Sequence, residues 1–305
     1  MGSGAQFLHR DRADMTRNLT TAALFGLIAL GAACGKTETP TSPTPNDPNA
    51  NSFYTAIGAS DGIGFGGSSP CLPFAECPTG TGYVQTLLRR LREGGKQVGH
   101  RNSSLPGSVL SKAVEDLAAA IGRPIDSLAG NFIERQAPFV PAETTLVTIF
   151  AGGNDANVIA LAARSRGGAD PNGYVATQIQ QWGIDLDALV ARIRARAPNT
   201  RIVALNLPNL AAAPYLAGNP IAEKSLMQRV AVGLSDKVNA LQSKNVLIVD
   251  LMCDARIYLP SNYASDGFHP NDGGYAVFTE LTLPVLRDGT NRVPSTTCAQ
   301  RSVFP

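Results

Sequence analysis

Four short apolar segments and a more polar one alternate with longer segments of helical periodicity, and this alternation restricts the fold more than any other feature of the sequence. The two kinds of segment differ in period, because the apolar residues of an amphipathic helix recur every three or four positions. Strands that are separated by helices pair in parallel, and helices then cover both faces of the sheet. The predicted strands are 53–57, 96–102, 145–150, 201–207 and 246–251.

The helical segments are bounded by Gly, Pro and Asn residues, which stop helices or begin turns. The chain has 305 residues, of which 44% are hydrophobic. That is enough for one core of about 250 residues with appendages. The predicted helices are 81–93, 109–121, 156–164, 174–196, 221–243 and 272–285, with a shorter helix at 127–135.

The first 34 residues have the features of an export signal. Leu19 to Ala33 carries no charge and follows Arg17, and its fifteen residues are too few to span a bilayer but suit a signal peptide. Met15 fits the start of such a signal better than Met1. We therefore expect export to a bacterial periplasm or outer surface.

The sequence Leu-Gly-Ala-Ala-Cys that ends at Cys34 resembles a bacterial lipoprotein signal, in which the cysteine becomes the lipidated N-terminus. Cleavage without lipidation is the alternative. Residues 35–51 are rich in Thr, Pro, Ser, Asn and Asp, and this composition predicts a flexible tether. The expected organisation is a signal at 1–34, a tether at 35–51 and a folded domain at 52–305, with membrane anchoring through Cys34.

Four cysteines remain after Cys34. In an exported chain an even number of cysteines predicts disulfides. Pairing of Cys71 with Cys77 closes a small loop, and pairing of Cys253 with Cys298 attaches the C-terminal tail to the body; other pairings stay open. No paired C-x-x-C spacing is present, which disfavours a metal site built on Cys and His.

The charge distribution argues against nucleic acid as a partner. The chain has 26 basic and 24 acidic side chains, and no basic block stands out. Only three histidines are present, His9, His100 and His269, so a mechanism that needs an imidazole has few candidates.

Ser60 follows the first predicted strand, directly after a turn of small residues that begins at Gly58. Such a turn presents a hydroxyl at the sheet edge beside free backbone N–H groups, as a nucleophile requires. The run from Gly58 to Gly62 also fits the G-x-S-x-G elbow of α/β-hydrolases. That elbow follows a strand in the middle of its sheet, deep in the chain, whereas this one follows the first strand.

Two further residues lie beyond the carboxyl ends of strands, where parallel sheets place their sites. Gly107 precedes the predicted helix 109–121, so its backbone N–H is unobstructed and lies in a locally positive field. Asn154 follows the strand 145–150 and can donate from its side-chain amide into a cleft. A turn glycine and a helix-capping asparagine are the structural alternatives.

Asp266 and His269 form an Asp-x-x-His sequence just before the last helix. A carboxylate three residues before a histidine can reach the imidazole, hold one tautomer and stabilise the imidazolium. His100 is the competing base, but no acid precedes it at that spacing.

These four stretches, in this order, resemble the SGNH hydrolases, the GDSL esterase and lipase family. The resemblance spans about 53–285 and implies a flavodoxin-like three-layer α/β/α fold. It implies that Ser60 is the nucleophile, His269 the general base and Asp266 the residue that orients it. It implies an oxyanion hole made by the backbone N–H groups of Ser60 and Gly107 with the side chain of Asn154.

One departure from the family pattern surrounds the nucleophile. The usual Gly-Asp-Ser is Gly58-Ala59-Ser60 here, and an acid follows the serine at Asp61. This changes the expected hydrogen bonding around Ser60 but not its position.

The resemblance implies hydrolysis of carboxylic acyl esters with no cofactor and no metal. Short-chain esters, acetylated sugars and lipids such as lysophospholipids are the candidate substrates. A tethered binding protein that keeps the fold without turnover is the alternative class. Four catalytic-type residues in the family's order argue against it.

Overall fold

The computed structural model describes residues 52–290 and 293–305. The predicted signal, Cys34 and the tether lie outside the described residues. Within the described part, no helix combines the length and the apolar character needed to cross a membrane.

The described chain forms one five-stranded sheet in which every neighbouring pair of strands is parallel. The strand order is β2-β1-β3-β4-β5, the order of a flavodoxin-like sheet. This confirms the predicted fold class. The strands are β1 Ser52–Ile57, β2 Val98–Asn102, β3 Leu146–Phe150, β4 Arg201–Leu205 and β5 Leu247–Val249.

Helices cover both faces of this sheet. The helices are α1 Tyr83–Leu91, α2 Lys112–Ala120, α3 Phe132–Arg135, α4 Gly153–Arg166, α5 Pro171–Arg196, α6 Ile221–Ala240 and α7 Asp272–Asp288. Helices α1 and α7 pack together on one face, and α2, α4, α5 and α6 pack on the other. Large side chains such as Trp182, Tyr54, Tyr83 and Tyr275 are fully buried between the layers, where their apolar area stabilises the fold.

Several predicted elements have other bounds in the structure. Strand β4 ends at Leu205, two residues early, since the buried Asn206 side chain accepts from the backbone N–H groups of Leu251 and Met252. The short helix predicted at 127–135 begins only at Phe132.

The helix predicted at 109–121 begins at Lys112. The preceding residues bond elsewhere: Val109 N–H donates to the Gly130 carbonyl, and Leu110 N–H donates to the Asp155 carboxylate. Gly107 therefore does not lie at a helix N-terminus, and the predicted helix field does not act on its N–H.

Both predicted disulfides are present. Cys71 is bonded to Cys77, and Cys253 is bonded to Cys298, 45 residues later. The first closes a loop in the segment between Ser60 and α1, and the second attaches the C-terminal tail near the end of β5.

Candidate active site

Ser60 lies just beyond the carboxyl end of β1, as the first residue of a 3-10 turn over Ser60–Ile63. It is only 7% exposed. The turn before it is held by the buried Gln136, whose Oε1 accepts from Gly58 N–H at 3.0 Å and whose Nε2 donates to the Gly58 carbonyl at 2.9 Å. One amide side chain thus satisfies both backbone groups of the residue two positions before Ser60.

The ring of His269 connects Ser60 to Asp266. Ser60 Oγ lies 2.8 Å from His269 Nε2, and His269 Nδ1 lies 2.6 Å from Asp266 Oδ2. The other carboxylate oxygen of Asp266 accepts from the backbone N–H groups of Phe268 and His269. A ring that donates from Nδ1 to a carboxylate has Nε2 free to accept a proton from the Ser60 hydroxyl.

These contacts keep Asp266 ionised. Partial burial raises its pKa, but the hydrogen bonds from the His269 ring and from the two backbone N–H groups outweigh that effect and lower the pKa below its ordinary value. An ionised carboxylate at this position stabilises a positive charge on the neighbouring ring.

The segment that follows Ser60 packs against the histidine. The Phe65 and His269 rings lie 4.6 Å apart, centroid to centroid. Gly66 has a φ of +92°, and a Cβ there would come within 2.9 Å of His269 Cβ. Ser68 donates to the Asp272 carboxylate from both its N–H and its hydroxyl, which ties this segment to the start of α7.

Asn154 lies in the first turn of α4 rather than at a cap. Its Nδ2 donates to the Ser108 carbonyl at 2.9 Å. A side-chain amide nitrogen carries two hydrogens. One therefore orients the amide against Ser108, and the second can point into the space beside it.

Gly107 has a φ of +80°, a conformation that glycine adopts at low cost. It is exposed, and its N–H donates to no other group in the described part of the chain. The adjacent Ser108 is buried, and its carbonyl is the acceptor for Asn154.

Asp155 connects the start of α4 to the segment 108–110 and to Trp182 through its carboxylate. One carboxylate oxygen accepts from both Leu110 N–H and the Trp182 indole, each at 2.9 Å. Burial raises the pKa of Asp155 to about 6, against the lowering effect of these two donors. Asp155 thus joins the start of α4 to the segment that contains Ser108.

Two spaces lie beside Asp61, the residue after Ser60, although Ser60, Asp266 and His269 are not among the residues that line them. The larger is a cleft with mostly apolar walls. Its volume is about 500 Å³ when the open solvent at its mouth is included. The smaller, of about 280 Å³, is lined by Ser108 and Asn154. Asp61, Phe150, Gly153 and Phe268 line both.

His100 lies on the edge strand β2, away from this constellation. Its ring contacts Tyr54, with 5.4 Å between centroids. Burial lowers the pKa of His100 to about 4; Glu76 raises it and Arg92 lowers it further. A neutral ring packed against a core tyrosine has the features of a structural histidine.

Sequence reasoning missed Gln136 and Asp155 and assigned no role to Asp61. Gln136 lies 76 positions beyond Ser60 in an irregular region of weak periodicity, and no motif marks it. Asp155 is adjacent to Asn154 and could have been found from that motif.

The chain belongs to the GDSL-like Lipase/Acylhydrolase family, whose model matches residues 58–277. This stretch contains Ser60, Gly107, Asn154, Asp266 and His269. The family shows that the protein is an enzyme, a hydrolase that acts on ester bonds.

Solved structures with the same architecture include several lipases and esterases. A lipase from a goat rumen metagenome is 16% identical, with 79% of this chain and 99% of that chain covered and a TM-score of 0.54. An extracellular lipase from Streptomyces rimosus is 22% identical, with 78% and 100% covered and a TM-score of 0.49.

An acetyl xylan esterase from Geobacillus stearothermophilus is 17% identical, with 81% of this chain and 98% of that chain covered and a TM-score of 0.48. A comparison with curated protein sequences gives no match. At 16% identity, the likeness to the goat rumen lipase shows the fold alone.

Proposed function

We propose that the protein hydrolyses carboxylic acyl esters through Ser60, His269 and Asp266, with an acyl-enzyme intermediate on Ser60. The observation that carries this proposal is the unbroken chain of hydrogen bonds from Ser60 Oγ through the imidazole to the Asp266 carboxylate. A serine hydroxyl at its free pKa is a weak nucleophile, and a base within hydrogen-bond reach activates it.

In the first step Ser60 Oγ forms a bond to the carbonyl carbon of the ester, and its proton moves to His269 Nε2. The carbonyl oxygen takes up the electron pair and becomes an oxyanion. The backbone N–H groups of Ser60 and Gly107 and the second amide hydrogen of Asn154 stabilise it. The free N–H of Gly107 and the fixed orientation of the Asn154 amide support these roles.

Collapse of the intermediate breaks the bond to the alcohol oxygen, which takes the proton from His269 and leaves. Water then attacks the acyl group on Ser60, and its proton moves to the same nitrogen. When the second intermediate collapses, the proton returns to Ser60 Oγ and the carboxylic acid is released. His269 acts in turn as base and acid, and Asp266 stabilises its protonated form.

A small-molecule acyl ester is the substrate that we propose, with lipids and acetylated sugars as the two candidate classes. The mostly apolar walls of the cleft suit an acyl chain or the apolar face of a sugar ring.

The experiment is labelling of the full chain with a fluorophosphonate, followed by mass spectrometry of its peptides. We expect one adduct, on Ser60, because only an activated serine reacts at a useful rate. The Ser60→Ala variant should stay unlabelled, and Ser261→Ala, which removes an exposed serine, should be labelled as the parent is. A folded parent that takes no label on Ser60 would support the binding-protein alternative.

We also propose that the protein is exported and anchored to a membrane by lipidation of Cys34. The support is the apolar segment Leu19 to Ala33, which ends directly at that cysteine. Expression in a bacterial host with a radiolabelled fatty acid tests this. We expect label in the parent and none in Cys34→Ala, and label in neither protein would contradict the anchor.

A further inference from the structure

Asp61 is the residue after the proposed nucleophile, and it lines both of the spaces described above. The family resemblance does not account for it, since the acid of that motif precedes the serine. The side chain is partly buried.

The Asp61 carboxylate has no partner in another residue of the described chain. Its one hydrogen bond is with its own backbone N–H, and no Lys or Arg pairs with it. The pKa of Asp61 lies above its ordinary value, because burial and the nearby Asp266 carboxylate raise it more than His269 and its own backbone N–H lower it. Partial removal of an unpartnered carboxylate from water costs free energy. A cationic group on a bound substrate would reduce this cost.

Four of the residues that line the larger cleft with Asp61 are aromatic, and the others include Leu207, Leu210 and Ile257. Phe150, Tyr263, Phe268 and Phe278 all line the larger cleft. Among the described residues that line it, Asp61 alone carries a charged side chain. Aromatic rings attract cations through their electron-rich faces, and the attraction is strongest where water is displaced.

We propose that Asp61 and these aromatic side chains form a subsite for a positively charged group, an ammonium or quaternary ammonium, on the ester substrate. This rests on the proposed function, because it defines a substrate class for the same site. The carboxylate supplies the opposite charge, and the rings replace the hydration of the cation. A phosphate or carboxylate on the substrate meets like charge here and no basic side chain.

A different role for Asp61 is electrostatic support of the protonated His269. That role predicts the same loss of rate for every ester when Asp61 is neutralised. A cation subsite predicts a loss that depends on the charge of the ligand. The two are separated by comparing ligands of one shape and different charge.

Choline and 3,3-dimethylbutan-1-ol are such a pair, because a carbon atom replaces the ammonium nitrogen in the second compound. Their dissociation constants are measured by calorimetry with the full-length Ser60→Ala variant, which needs no turnover. We expect choline to bind at least about tenfold more tightly than the neutral alcohol. In Ser60→Ala/Asp61→Asn the ratio should fall to within about threefold of one.

The matched control is Ser60→Ala/Asp187→Asn, which removes a surface carboxylate paired with Lys244 outside the cleft. It should keep the tenfold ratio, which excludes an effect of net charge alone. Equal binding of the two ligands to Ser60→Ala, or a ratio that Asp61→Asn leaves unchanged, would overturn the subsite.

Hydrolysis separates this inference from the proposed function. The parent should cleave acetylthiocholine with a kcat/KM at least about tenfold above that for its neutral analogue, the thioacetate of 3,3-dimethylbutane-1-thiol. Cleavage of both with equal efficiency would refute the subsite and leave the esterase intact. Cleavage of neither, together with a Ser60 that takes no fluorophosphonate label and with selective choline binding retained, would contradict the proposed mechanism and leave the subsite intact.

Discussion

Replacing His269 with alanine is expected to lower kcat/KM for p-nitrophenyl esters by about 10⁴- to 10⁶-fold. The ring contacts both Ser60 Oγ and Asp266, at 2.8 and 2.6 Å. Without it the serine has no base, and no other imidazole lies within reach in the described chain. The loss should appear in kcat, because the proton transfer is needed in the transition state and not for binding.

His100→Ala is the matched control, since His100 is the second histidine in the described residues. It should keep most of the activity, because its ring packs on Tyr54 and not on Ser60. Steady-state kinetics on both variants, with circular dichroism to verify folding, make the comparison. If His100→Ala were inactive and His269→Ala active, the assignment of the base would be wrong.

Asn154→Ala should lower kcat by about 10²- to 10³-fold with little change in KM. The amide is held by its bond to the Ser108 carbonyl, so in the proposed mechanism its second hydrogen meets the oxyanion without reorganisation. The negative charge exists only in the transition state and the intermediate, so substrate binding should change little. Alanine favours helix and should not disturb the first turn of α4.

Asn157→Ala removes a second amide from the same helix, one turn further on. That side chain bonds to the Gly153 carbonyl and to the Tyr215 hydroxyl rather than to Ser108. We expect its kcat to fall less than tenfold. Comparable losses in the two variants would show that disturbance of α4, and not loss of an oxyanion donor, explains the Asn154 result.

Much of the fold could be read from the sequence because its signals are local. The segment 145–150 is apolar and β-branched, and it differs from β3 by one residue. The alternation of strand and helix restricts the connections to parallel crossovers. The predictions were wrong at the end of β4 and at the start of α2, where the Asn206 and Asp155 side chains accept from backbone N–H groups.

The sequence by itself determined the succession of strands and helices along the chain and the residue types that esterase chemistry requires. The reason is that periodicity, turn residues and short motifs act over a few positions. Only the tertiary structure decided which distant groups meet. Gln136 lies against Gly58, and Asp61 lines one cleft with aromatic residues from β3, from α7 and from the loop before α7. Such contacts depend on how helices pack across a twisted sheet, and no local pattern of residues encodes that packing.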